Sequence, residues 1–213
     1  MLRLVAQDLC PYAQRCRILL EARAIPHATD YIQLDNKPAW FLARAPAGRV
    51  PVLLDGARVI EDSLRINEYL ERRFDSPVPA PADPAGYERC EDALASLWAV
   101  FQATTVAQRR TSMTALELQL QALAAYAPTG CDDAPLDLID CAAAPLLLRV
   151  RWALEVPGFG HLQVPPGIDA WTDRLQAHPS VKRSVLPSVP DRYRERLARR
   201  LASAGDHVQH AAP

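Results

Sequence analysis

Pro77, Pro79, Pro81 and Pro84 fall between Asp75 and Pro84 among mostly small side chains. Each proline fixes φ and removes a backbone donor, so this stretch can join neither a helix interior nor a sheet and reads as a stiff, solvated connector. A chain of 213 residues has room for two modest cores on either side of it. The division expected is a first domain over residues 1–75, a linker over 76–84 and a second domain over 85–213.

The first domain alternates in type. Leu2 to Ala6 is a short β-prone run, and Pro11 follows Cys10 at the position where a proline opens a helix. Ala13, Cys16 and Leu20 then share an apolar face to about Ala24, with Gln14, Arg15, Arg17 and Glu21 placed elsewhere. Ile25-Pro26 ends this helix, and His27 to Leu34 supplies a second strand. A short helix over residues 38–43 and a break at Ala45 to Gly48 lead to a third strand at Val50 to Leu54. Asp55-Gly56 turns that strand into Arg58-Val59-Ile60 as a hairpin, and Asp62-Ser63 opens a helix running to Phe74. The order is β-α-β-α-β-β-α. Beyond the connector, helical patterns occur near residues 85–110, 112–127, 137–156 and 167–177 without a convincing strand. Asp137 and Asp140 make a variant capping box for the third of these, and Pro145 within it is expected to kink it.

The composition narrows the function classes. Twenty-four Lys and Arg oppose 25 Asp and Glu, a formal net charge of −1, so no global field draws the chain to nucleic acid or to anionic lipid. Charged or polar residues interrupt every apolar run short of a membrane span. Met1 to Ala6 reads straight into a strand without the pattern of a signal peptide. The five cysteines, Cys10, Cys16, Cys90, Cys131 and Cys141, are odd in number and scattered, which implies reduced thiols and a cytoplasmic setting.

Cys10 is the sharpest chemical feature. A thiol at a helix N-terminus meets the positive end of the helix dipole and the unsatisfied N–H groups there, both of which favour its thiolate and lower its pKa. The alternative is a small core residue. Ala13 stands where a C-x-x-C partner would be, which excludes a dithiol cycle within that motif. Cys16, about 240° further round the helix, reads as core packing, as do Cys90 and Cys141; Cys131 falls in a loop. His207 and His210 read as a polar tail rather than a metal site, and no metal is expected. The arginines at 192, 194, 196, 199 and 200 alternate with Asp191 and Glu195 and read as a solvated helix face. Trp98, Phe101 and Trp152 suit either a core or a substrate pocket.

The segments Cys10-Pro11-Tyr12-Ala13-Gln14-Arg15, Asn36-Lys37-Pro38 with Trp40-Phe41, Gly48-Arg49-Val50-Pro51-Val52-Leu53, and Asp62-Ser63 with Glu68-Tyr69-Leu70 occur in order over the first domain. Together they resemble the soluble glutathione transferases, in particular the omega-like class whose nucleophile is a cysteine. The helical part resembles them through its length, Asp137 to Asp140 and Ala177 to Val181. The resemblance implies a thioredoxin-like N-terminal domain followed by an all-α C-terminal domain, with Cys10 catalytic and Pro51 a cis-proline.

Further roles are implied for glutathione. Val50 would pair its backbone with the cysteinyl part. Ser63 would receive the γ-glutamyl carboxylate, Asp62 would face the ammonium, Lys37 would approach a carboxylate or the main chain, and Tyr12 would flank the thiol. Each has a plainer reading: a strand-starting proline at Pro51, an N-cap at Asp62-Ser63, a solvated charge at Lys37. The family usually places Glu where Asp62 stands, and the class commonly has phenylalanine at Tyr12. The implied activity is a glutathione-dependent thiol transferase or reductase working through a mixed disulfide on one cysteine, on a small electrophilic or disulfide substrate. Dehydroascorbate reduction or deglutathionylation falls within it. The alternatives are conjugation of glutathione to electrophiles, or a non-catalytic binding protein on the same fold. The resemblance also suggests a homodimer.

Overall fold

The computed structural model describes residues 1–74, 84–128 and 135–209, with side chains as far as residue 202. The connector except Pro84, Cys131, the His207 side chain and His210 lie outside the described residues. The chain packs as two units. Among the described residues the first comprises 1–74, 135–145 and 178–186, and the second comprises 84–128, 146–177 and 187–209.

The first unit begins in the expected order: β1 (Leu2–Ala6), α1 (Pro11–Ala22), β2 (His27–Tyr31), α2 (Ala39–Arg44), β3 (Val52–Asp55), β4 (Arg58–Glu61) and α3 (Ser63–Arg73). The strands form one sheet in the order β2-β1-β3-β4. β1 runs parallel to β2, which requires the α1 crossover, and antiparallel to β3, which in turn pairs antiparallel with β4 through the Asp55-Gly56 turn. Gly56 has φ +59°, a left-handed conformation suited to glycine.

Val5, Ile32, Phe41, Ala45, Val52 and Leu54 form one buried cluster on this sheet. Phe41 is wholly excluded from solvent, so the short α2 is held by a side chain rather than by its own few hydrogen bonds. Its neighbour Trp40 packs edge-on to Phe41 at 6.0 Å between ring centres.

The polar side of α1 departs from the sequence expectation. Gln14 and Arg15 are buried rather than solvated. Helix α8 (Pro179–Ser184) lies against α1 within the same unit. The Gln14 amide donates to Ser184 Oγ at 3.3 Å, and the Arg17 guanidinium donates to the carbonyls of Ser184 and Arg183 at 2.8 and 2.9 Å. Periodicity locates an apolar stripe, and a helix contributed from far along the chain buried a second face that no stripe marks. Arg23 binds Glu71 at 3.1 Å with both side chains largely buried, tying α1 to α3.

Helix α6 (Leu138–Leu154) starts with the reciprocal cap foreseen: Asp137 Oδ1 accepts from Asp140 N at 2.7 Å, and Asp137 N donates to Asp140 Oδ2 at 3.3 Å. The helix continues through Pro145.

The second unit contains helices and no strand among its described residues. Its first two helices, α4 (Pro84–Gln102) and α5 (Val106–Leu123), divide earlier than the periodicity implied. The break falls at residues 103–105, where Thr105 Oγ1 accepts from Gln108 N at 3.1 Å and caps α5. A single 3₁₀ turn (Ala124–Tyr126) follows α5. α7 (Pro166–Ala177) lies near its expected place, and α9 (Val189–Gln209) carries the arginine-rich segment. Trp98 stacks on Phe101 at 6.0 Å, Phe101 meets Tyr193 edge-on at 5.3 Å, and Tyr193 meets Trp152 at 5.8 Å. Phe101 and Trp152 are thereby core residues of this unit, while Trp98 is 53% exposed. No described helix is long and apolar enough to cross a membrane.

If Phe41 anchors α2, Phe41→Ala should destabilise the first unit by about 3–5 kcal/mol in urea denaturation of the full chain. Amide protection over residues 39–45 should fall with it. A loss below about 1 kcal/mol would mean that α2 is held by something else.

Candidate active site

Sheet register brings the sequence motifs together. Val5 pairs with Val52 across the antiparallel β1–β3 ladder, so the start of β3, just after Val50-Pro51, lies beside the end of β1, which leads to Cys10. Val52 in turn pairs with Glu61, so the end of β4, which leads to Asp62-Ser63, lies next to that same point. Ala6 pairs with Tyr31, placing the exit from β2 toward Lys37 at the same end of the sheet. Four connections thus meet at one end of the sheet, each carrying one of the site features read from the sequence.

Cys10 is the N-cap of α1, with extended backbone (φ −73°, ψ 115°) and Pro11 inside the first turn. Its sulfur makes no capping bond to the helix backbone. It lies 3.9 Å from the Val50 carbonyl oxygen, partly buried. A thiol donates only weakly, and 3.9 Å is a long contact, so this carbonyl does little to hold the proton. The sulfur stands at the N-terminal end of α1, where the helix dipole is positive. The Val50–Pro51 peptide is cis, with the Val50 carbonyl directed at the thiol.

Tyr12 is half-buried in the first turn of α1, and the Arg15 guanidinium lies over its ring at 5.0 Å. Arg15 is only 1% exposed, a buried cation one turn from the thiol that the reading of α1 as an amphipathic helix passed over. Cys16 is fully buried and donates to the Ser63 carbonyl at 3.6 Å. Burial pushes its thiol well above the usual range, which keeps it protonated and inert near neutral pH.

Asp62 holds φ +75° and ψ 130°, a backbone conformation uncommon outside glycine. Its Oδ1 accepts from Leu64 N at 3.0 Å and from Arg65 N at 3.2 Å, capping α3. The N-cap reading is therefore what this side chain does here, through one oxygen, while the carboxylate stays exposed. Ser63 is the first residue of α3 and 5% exposed. A non-glycine held at positive φ costs on the order of 1–3 kcal/mol and is characteristic of functional loops.

Lys37 is half-buried, with its ammonium lying close above the backbone of Gly48. Among the described residues, no group of three or more His, Cys, Asp or Glu is placed to hold a metal ion. The cluster as a whole offers one thiol at a helix start, the Val50 backbone just ahead of β3, a second helix start and a cation. Such a set suits an anionic peptide-like thiol compound.

Comparison with known proteins agrees with this geometry. Residues 9–73 match the glutathione S-transferase N-terminal domain. Glutathione S-transferase omega-2 of Rattus norvegicus is 38% identical over 90 residues, which is 42% of this chain and 36% of that one. The match therefore spans about a third of that relative's length. The probable cytosolic glutathione S-transferase DHAR1 of Oryza sativa subsp. japonica is 29% identical over 150 residues, 68% of this chain and 69% of the other. The crystal structure of glutathione transferase Omega 3C from Trametes versicolor superposes with a TM-score of 0.80 at 23% identity, over 96% of this chain and 92% of that one, and shares its fold.

The burial pattern predicts an order of thiol reactivity. Brief treatment of the native chain with iodoacetamide near neutral pH should alkylate Cys10 and spare Cys16, Cys90 and Cys141, which are buried, as read by peptide mass spectrometry. Labelling of Cys16 as fast as Cys10 would contradict the site as drawn.

Proposed function

We propose that the chain, whose residues 9–73 match the glutathione S-transferase N-terminal domain, is a glutathione-dependent thiol transferase of the omega-like kind with Cys10 as its single nucleophile. The observation that carries this reading is the thiol of Cys10 at the start of α1, against the Val50 carbonyl. The Cys10 thiolate attacks a sulfur of a glutathione mixed disulfide. The S–S bond breaks, the substrate leaves as its thiolate and takes up a proton, and glutathione stays bonded to Cys10. The thiolate of a second glutathione attacks that bonded glutathione sulfur. Glutathione disulfide leaves, and Cys10 is restored as a thiolate. The net reaction is an exchange in which one free glutathione enters, the substrate leaves as its thiol and the two glutathione sulfurs leave joined as glutathione disulfide, so no second protein thiol is required.

In this reading the bound glutathione lies along the Val50 backbone in strand fashion, with Pro51 shaping that edge. Its γ-glutamyl carboxylate meets the start of α3 at Ser63. Asp62 shares its carboxylate between capping α3 and the ligand's ammonium. Lys37 faces a glutathione carboxylate, and Tyr12 flanks the sulfur. Glutathione is the cosubstrate, and the second substrate is a small disulfide or electrophile. A homodimer, a cytoplasmic location and a role in detoxification accompany the reading as what membership of the family suggests.

Conjugation is the less favoured chemistry on electrostatic grounds. A thiolate at Cys10 repels the thiolate of glutathione and captures it covalently once oxidised, whereas a hydroxyl would hydrogen-bond it. After incubation with glutathione disulfide, intact-mass measurement should show one glutathione adduct on the wild type, removed by reduced glutathione and lost in Cys10→Ser. Cys10→Ser should also lose disulfide reduction by at least about 100-fold, in line with removal of a nucleophile, and gain conjugation if the serine takes the hydroxyl role. Equal disulfide reduction by wild type and variant would exclude Cys10 as the nucleophile.

A further inference from the structure

Gly48 is buried, lies two residues before Val50 and holds φ +62°. Its N–H closes a turn onto the Ala45 carbonyl at 2.9 Å. A Cβ added there would stand 3.1 Å from Lys37 Nζ and 3.3 Å from Lys37 Cδ, with Leu42 Cδ2 also at 3.3 Å. The Lys37 side chain is thus laid along the glycine, and its ammonium is set down on the backbone that runs on to the Val50 edge. We propose that Gly48 is the positioning residue for Lys37, its missing side chain fixing where that cation stands over the glutathione edge.

The inference rests on the glutathione reading above, and it assigns to Gly48 a role separate from its backbone conformation. Two demands fall on this position. The positive φ disfavours any residue with a Cβ, although asparagine tolerates it better than alanine. The close approach of Lys37 means that a Cβ of either kind would push the lysine side chain aside. The crowding atoms are the far part of one lysine and the tip of Leu42, itself 40% exposed. Both side chains can swing outward, so the expected response to a Cβ is displacement of the ammonium rather than loss of the fold.

The experiment is a cycle on the full chain with Gly48→Ala, Gly48→Asn, Lys37→Met and the two doubles, read as KM for the glutathione mixed disulfide and kcat for its reduction. Both Gly48 variants should raise KM roughly three- to tenfold with kcat little changed, the size of effect that one displaced charge contact gives. Against Lys37→Met the same substitutions should change KM by less than about twofold, because the contact they disturb is already gone. Equal KM penalties with and without Lys37 would overturn the proposal, since Gly48 would then act through the backbone alone. So would a large penalty for alanine with none for asparagine, which would assign the whole effect to φ. Failure of the wild type to form a glutathione adduct on Cys10 would remove the functional reading itself, and this inference with it.

Discussion

The site depends on where β1 ends. β1 is an inner strand, paired on one side with β2 and on the other with β3, and the chain leaves it through residues 7–9 directly into a helix whose first turn contains Pro11. That short exit leaves Cys10 little freedom of position: its carbonyl already accepts from Gln14 N at 3.1 Å as the first bond of α1. The sulfur is therefore held at the positive end of a helix that the buried sheet supports from below. Every other polar feature of the site is placed by its strand register relative to this point, through Val52 beside Val5 and Glu61 beside Val52.

The start of α3 shows how one residue can serve structure and ligand together. An aspartate at Asp62 reaches Leu64 and Arg65 N–H groups with one oxygen, a cap of the ordinary kind. Its positive φ has no such local explanation, because an N-cap is usually extended with negative φ. The shorter side chain, compared with the glutamate usual in the family, makes capping the natural use of its first oxygen.

Much of this arrangement was legible in the sequence because local rules set it. Pro11 marked the helix start, Asp55-Gly56 the hairpin, Asp137 with Asp140 the cap of α6, and the order of the seven first-domain elements followed from them. What the sequence concealed came from contacts between residues far apart. Gln14 reads as solvated until Ser184 of α8 meets it, and Arg15, equally buried, lies over the Tyr12 ring. The division between α4 and α5 falls at Thr105 because a side-chain cap forms there, while apolar periodicity runs on across it. The approach of Lys37 to Gly48 joins two segments separated by α2, and the one sequence sign of it was a glycine ahead of Val50-Pro51.

The proposed cycle requires Cys10 to be a thiolate near neutral pH because of its place at the start of α1. The direct measurement is a pH titration of the ultraviolet thiolate absorbance of the native full chain, with the signal of Cys10→Ser subtracted. A midpoint well below the ~8.5 of an ordinary cysteine is the predicted result. A midpoint at or above that value would show that the helix start does not activate this sulfur, and would contradict the mechanism drawn from it.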